Sequence, residues 1–136
     1  MSSWTHVAAV FRFDCIQFVL PEPDWDAVTG KQVYEPVDFS DAEFAKYDES
    51  MRDAERNPGS YMPFGSEGSL TRSVWVNPNR NMAAAYTVAV YGDLRDYTDV
   101  DAIREWFMET CGRATLRQAV CHCQCDGEEY TWSRSW

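Results

Sequence analysis

Across residues 82–112 the spacing of apolar side chains changes period once, and the neighbouring elements take their order from that change. Tyr86, Val88 and Val90 alternate with Ala85, Thr87 and Ala89. Such alternation sends successive side chains to opposite faces, so the stretch predicts an interior strand with both faces at least partly covered. Beyond Gly92, Val100, Ile103, Phe107 and the pair Thr110 and Cys111 fall three or four residues apart, which lines one side of a helix. Thr98 is the expected N-cap of that helix. Asp99 and Asp101 suit the positive end of its dipole, and Gly112 suits a left-handed terminating residue.

Period two also governs the N-terminal stretch 4–16, with Val7, Ala9, Phe11 and Phe13 on one face and His6, Ala8, Val10 and Arg12 on the other. Residues 20–37 carry Pro21, Pro23 and Pro36 around a turn signal at Val28, Thr29, Gly30 and Lys31, and are expected to be an insertion, either loop or a small hairpin. A helix start follows. Ser40 is placed to cap, Glu43 to reciprocate three residues later, and Phe39 and Phe44 to staple. Phe44, Tyr47, Met51 and Ala54 form the inner side of this helix, the outer side is acidic, and Asn57, Pro58 and Gly59 stop it. A glycine-bearing turn at 63–69 leads to a strand over 70–76, a hairpin loop at 77–81 returns the chain, and 115–125 forms a last strand. The tail from Asp126 either adds a short edge strand or frays.

Strand, helix, strand, strand, helix, strand is the order of a split β-α-β arrangement. The expected fold class is therefore α+β: a ferredoxin-like βαββαβ sandwich, in which two helices cover one face of a four-stranded antiparallel sheet, with an insertion at 20–37. A rearranged α+β sheet with extra strands from the insertion is the alternative. At 136 residues the chain is expected to be one domain. In this topology the start of the first strand, the 63–69 turn and the 92–98 turn emerge at one end of the sheet. His6, Gly65, Ser66, Glu67, Gly68, Asp93, Arg95, Asp96 and Tyr97 then share a rim, the expected ligand site.

Charge narrows the partners. With 12 basic and 22 acidic residues the net charge is −10, which opposes direct binding to nucleic acid and favours basic partners. Six Trp are more than a small core readily hides, so exposed or interfacial aromatics are expected. No stretch has the apolar length of a membrane span and no signal peptide opens the chain, so a cytoplasmic protein is expected. Five Cys, an odd number, suit a reducing compartment.

Cys121, Cys123 and Cys125 share one strand face, which reads better as small core hydrophobes than as a metal site, because zinc takes spaced ligand pairs. Neither metal nor cofactor is expected. An acidic setting raises a thiol pKa and disfavours a Cys nucleophile. The 65–69 turn lacks the Lys of a phosphate loop.

The segments Trp4-Thr5-His6-Val7, Gly65-Ser66-Glu67-Gly68-Ser69-Leu70 and Gly92-Asp93-Leu94-Arg95-Asp96-Tyr97 resemble short proteins encoded by tailed bacteriophages and prophages. The resemblance transfers no catalytic residue. It implies small acidic proteins of the host cytosol that act by binding, commonly as inhibitors of a host defence system, the anti-CRISPR class included. The first functional expectation is accordingly a non-catalytic inhibitor, not an enzyme. Its Asp41, Asp48, Glu49, Asp53 and Glu55 would occupy a basic surface of a host protein, nucleic-acid-binding proteins among the candidates. A second is a sponge for a nucleotide-like small molecule at the rim, formed as a homo-oligomer that buries the surplus aromatics. A third is a small hydrolase using the loop carboxylates Glu67 and Asp93.

Overall fold

Strand β1 (Trp4–Ile16) runs through the middle of a single sheet. Its odd-numbered residues from Thr5 to Phe13 are buried, while Trp4, His6, Ala8 and Val10 on the other face are exposed. The computed structural model describes residues 2–16, 22–78 and 83–135. Residues 79–81 of the expected hairpin loop, and Leu20 and Pro21 of the expected insertion, lie outside the described residues. The other strands are β2 (Thr71–Pro78), β3 (Ala83–Arg95), β4 (Leu116–Cys125) and β5 (Glu128–Ser135). They lie in the order β2-β3-β1-β4-β5, and every neighbouring pair is antiparallel.

One face of the sheet carries the core. Phe11 and Phe13 are fully buried, and Phe11 meets Trp106 edge-on at 5.8 Å and Phe107 at 5.4 Å between ring centroids. Both partners come from helix α3 (Val100–Cys111), whose apolar stripe lies on this face. Helix α1 (Trp25–Thr29) covers the neighbouring part: Trp25 stands 5.9 Å from Phe13 and 5.3 Å from Tyr86, and Val28 is buried. Polar ties from other elements help to hold α1 in place. The Trp106 indole N–H donates to Thr29 O at 2.7 Å, and the Arg72 guanidinium donates to Thr29 Oγ1 at 2.9 Å and Gly30 O at 3.2 Å.

Several expectations need correction. The sheet has five strands, so the four-stranded ferredoxin-like sandwich is not formed. Asp126 and Gly127, at φ of 50° and 81°, make the two-residue turn that suits a right-twisted hairpin, and β5 returns along β4 instead of fraying. The described α-helices are three, and part of the expected insertion is α1, because Trp25 and Val28 bury their side chains more favourably than a polar loop could. Helix α2 (Asp41–Arg56) does not cover the sheet. Only Ala54 of its sixteen residues is buried, and more than half of them are charged, leaving too little apolar surface to dock. The Ser40 cap and the Phe39–Phe44 staple form as expected, but the reciprocal bond does not. Ser40 N–H donates to Asp38 at 2.8 Å, while Glu43 turns to Tyr34 and Lys46. Asp99, not Thr98, caps α3 by accepting from Ala102 N–H at 3.0 Å, and Gly112 ends the helix at φ −88°, outside the left-handed region.

The opposite face of the sheet is open: no described helix packs on it. Three rows cross all five strands there. They run Thr71–Tyr91–Ala8–His122–Thr131, Ser73–Ala89–Val10–Val120–Ser133 and Trp75–Thr87–Arg12–Gln118–Ser135.

Candidate functional site

At the end of the sheet where β1 starts and β3 stops, the 65–69 turn lies along the edge of β3 and extends the position of β2. Ser66 N–H donates to Arg95 O at 3.0 Å, Arg95 N–H donates to Glu67 O at 3.0 Å, and Gly65 N–H donates to Gly68 O at 3.1 Å. A Cβ on Gly65 would collide with Arg95 O, and one on Gly68, which holds φ +85°, with Asp93 O. The two glycines are therefore required by close backbone approach.

This pairing brings the rim residues together in two groups. Arg95 Nη1 meets Glu67 at 2.7 Å, with Asp96 at 3.9 Å from its Nε and Ser66 Oγ donating to Asp96 at 2.8 Å. The Glu67 hydrogen bond is the main reason the Arg95 guanidinium is held above its usual pKa. His6 and Asp93 form the second group, on the open face, with Nδ1 and Oδ1 2.5 Å apart. Strand β3 runs on to Arg95, so the expected 92–98 turn is confined to residues 96–99.

Tyr97 leaves this cluster. Its ring is half-buried, and desolvation pushes the hydroxyl up to about 12. It lines a groove of about 440 Å³ between α3 and residues 58–64, together with Tyr61, Phe64, Trp106, Glu105 and Glu109. Arg113 closes one side through a 3.2 Å ion pair to Glu109. The sequence reading missed this groove because it left Trp106 out of the apolar stripe of α3, although Trp106 follows Ile103 by one turn.

On α2 the expected partner-facing acids divide. Asp41, Asp48, Glu49 and Glu55 are exposed. Asp53 is a strut: it accepts from the Tyr61 hydroxyl and, at 3.2 Å, from the Asn57 side chain, and these bonds hold its carboxyl below the ordinary range. Phe39, at 91% exposed, stands with its ring centroid 6.2 Å from that of Phe44.

Cys121, Cys123 and Cys125 are buried on the core face, and burial pushes the Cys121 thiol up to about 12 and Cys123 up to about 11. His122 points to the open face, bonded to Thr131 at 3.1 Å. Among the described residues no group of three or more His, Cys, Asp and Glu is placed to hold a metal ion, and no helix is long and apolar enough to cross a membrane. No family model, curated protein or solved structure matches the chain.

Proposed function

We propose that the chain is a non-catalytic binding protein that uses α2 to occupy a basic surface of another protein. The carrying observation is that α2 buries only Ala54 while it presents Asp41, Asp48, Glu49 and Glu55 beside the exposed Phe39–Phe44 pair. Amphipathic helices usually earn their place by docking; this one is hung on hydrogen bonds from Tyr34 and Tyr61 and keeps its charged side free. Exposed carboxylates steer a basic partner, and an aromatic pair among them supplies the apolar anchor that gives an interface its residence time. The resemblance to phage proteins supports a host defence protein of the cytosol as the partner, which the bound chain would inhibit.

The rim favours this reading over ligand capture or hydrolysis. The Arg95 guanidinium is already engaged by Glu67 and Asp96, so an anionic ligand would have to displace carboxylates, and Asp93 is engaged by His6. The test is native mass spectrometry of the protein purified from co-expressing host cells. Dissociation of the retained complex by salt, and its loss on combining Asp41→Lys, Asp48→Lys, Glu49→Lys and Glu55→Lys, are expected. A complex indifferent to both overturns the proposal.

A further inference from the structure

We infer that the outer edge of β5 pairs with the same edge of a second copy of this chain, with Thr131 of one copy opposite Thr131 of the other. The edge itself is the first argument. β5 ends the sheet, and among the described residues no backbone group is hydrogen-bonded to its outer side. It follows β4 in unbroken register over eight residues, with no proline, lysine or bulge to blunt it.

The phase of the hydrogen bonds is the second. The Asp126-Gly127 turn closes on Cys125 and Glu128, and residues that flank a two-residue turn exchange both of their backbone bonds. Alternation then turns the N–H and C=O of Glu128, Tyr130, Trp132 and Arg134 toward β4, and those of Glu129, Thr131 and Ser133 away from it. A two-fold axis through Thr131, perpendicular to the sheet, sets β5 antiparallel to its copy. Thr131 then faces Thr131 and Glu129 faces Ser133, so the outward backbone groups of each copy meet those of the other.

Side chains are the third argument, and they select this register. The same axis sets Glu128 opposite Arg134 and Tyr130 opposite Trp132 on the core side of the sheet, both favourable cross-strand combinations. Arg134 is exposed and has no ion pair among the described residues. Glu128 is exposed too and accepts from the Tyr130 hydroxyl at 2.6 Å through one oxygen, which leaves the other for Arg134 of the second copy. Tyr130 and Trp132 are half-buried and stack within the strand, their ring centroids 6.2 Å apart, so the junction continues an existing row of rings. A slip of two residues either way sets Glu128 against Trp132 or Arg134 against Tyr130, and no ion pair is formed. Helix α3 packs chiefly against β4. The β4 strands of the two copies lie three strand spacings, or ~14 Å, apart, and a helix is ~10–12 Å wide, so both α3 helices fit on the joined sheet.

Sedimentation equilibrium over a concentration series tests the inference on the whole chain. Each copy carries a net charge of −10, so the measurement belongs at ~0.15 M salt, where a Debye length of ~8 Å screens the general repulsion. The expected particle has twice the 15.7 kDa chain mass. Thr131→Pro removes an outward N–H that the β4 ladder does not use and should weaken association by on the order of tenfold or more. Arg134→Glu sets Glu against Glu and should weaken it by about tenfold, whereas Glu128→Arg combined with Arg134→Glu restores opposite charges in the same register and should recover most of that loss. An unchanged far-UV circular dichroism spectrum separates lost pairing from lost folding, and the two charge variants decide the matter if Thr131→Pro disturbs the hairpin. A wild-type protein that stays monomeric at its highest soluble concentration overturns the inference. So does a dimer indifferent to Arg134→Glu, or a double variant that associates no better than Arg134→Glu alone.

Discussion

Glu67 and Arg95 lie 28 residues apart in sequence and 2.7 Å apart in space, and the turn that carries Glu67 is paired to β3 through its backbone as well. The backbone pairing, not the ion pair, is what holds the rim. The ion pair is solvent-exposed and screened, so Glu67→Gln should leave the urea midpoint within error. Gly68→Ala introduces a Cβ against Asp93 O at a left-handed φ and should cost ~2 kcal/mol or more by the same measurement. Equal effects of the two substitutions would show that this division of roles is wrong.

Phe11 and Phe39 make the sharpest contrast among the aromatics, one fully buried against α3 and the other 91% exposed beside α2. Phe11→Ala should destabilise by ~3–5 kcal/mol in urea titration. Phe39→Ala should change stability by less than ~0.5 kcal/mol yet weaken association with a partner bound through α2. A large stability loss from Phe39→Ala would mean that the staple is structural and remove it from the binding surface.

Where one period dominates, the fold was legible in the sequence. The faces of β1, the cysteines of β4 and the stripe of α3 are all placed by alternation or by helical spacing. The rim was legible too, since strand directions alone brought Glu67 to Arg95 and His6 to Asp93. What failed were judgements of relative burial. Helix α2 carries the strongest local start signal in the chain, but capping decides where a helix begins and says nothing about what it packs on. Trp25 and Val28 were hidden among prolines, where no period has room to show, although each is a large side chain with every reason to be buried. The Asp126-Gly127 signal was present in the sequence, and weighting it fully would have added β5.

Alkaline pH should weaken the fold through the buried thiols. Cys111, Cys121 and Cys123 are raised by desolvation from 9.0 to between about 11 and about 12. Between those limits the unfolded chain has lost protons that the folded chain keeps, so stability falls as pH rises from about 9 and levels off only above the folded values. Tyr97, raised to about 12, adds to the slope once its unfolded counterpart ionises near 10. Urea midpoints at about pH 8 and about pH 10 measure the drop, which Cys121→Val with Cys123→Val should reduce. An unaltered drop in that double variant would assign the titration elsewhere.

Acid should act first on α2, because two of the ties that hold this weakly buried helix are carboxylates bonded to tyrosines. The Tyr61 hydroxyl holds Asp53 below its ordinary 3.8, and the Tyr34 hydroxyl is the main reason Glu43 lies below 4.5. A carboxyl with a depressed folded pKa stabilises the fold fully above its unfolded value, and that stabilisation disappears as pH falls through the folded one. Both ties therefore hold at neutral pH and start to loosen as pH falls below about 4, while α3 is anchored in the core by Ile103 and Phe107 whatever the state of its Asp99 cap. Amide exchange, corrected for its intrinsic pH dependence, should show α2 losing protection at about pH 3 while α3 keeps it. Tyr34→Phe with Tyr61→Phe should make α2 exchange fast even at about pH 6. If α2 and α3 lose protection together, or the double variant retains it at neutral pH, then α2 is held by something other than these two hydroxyls.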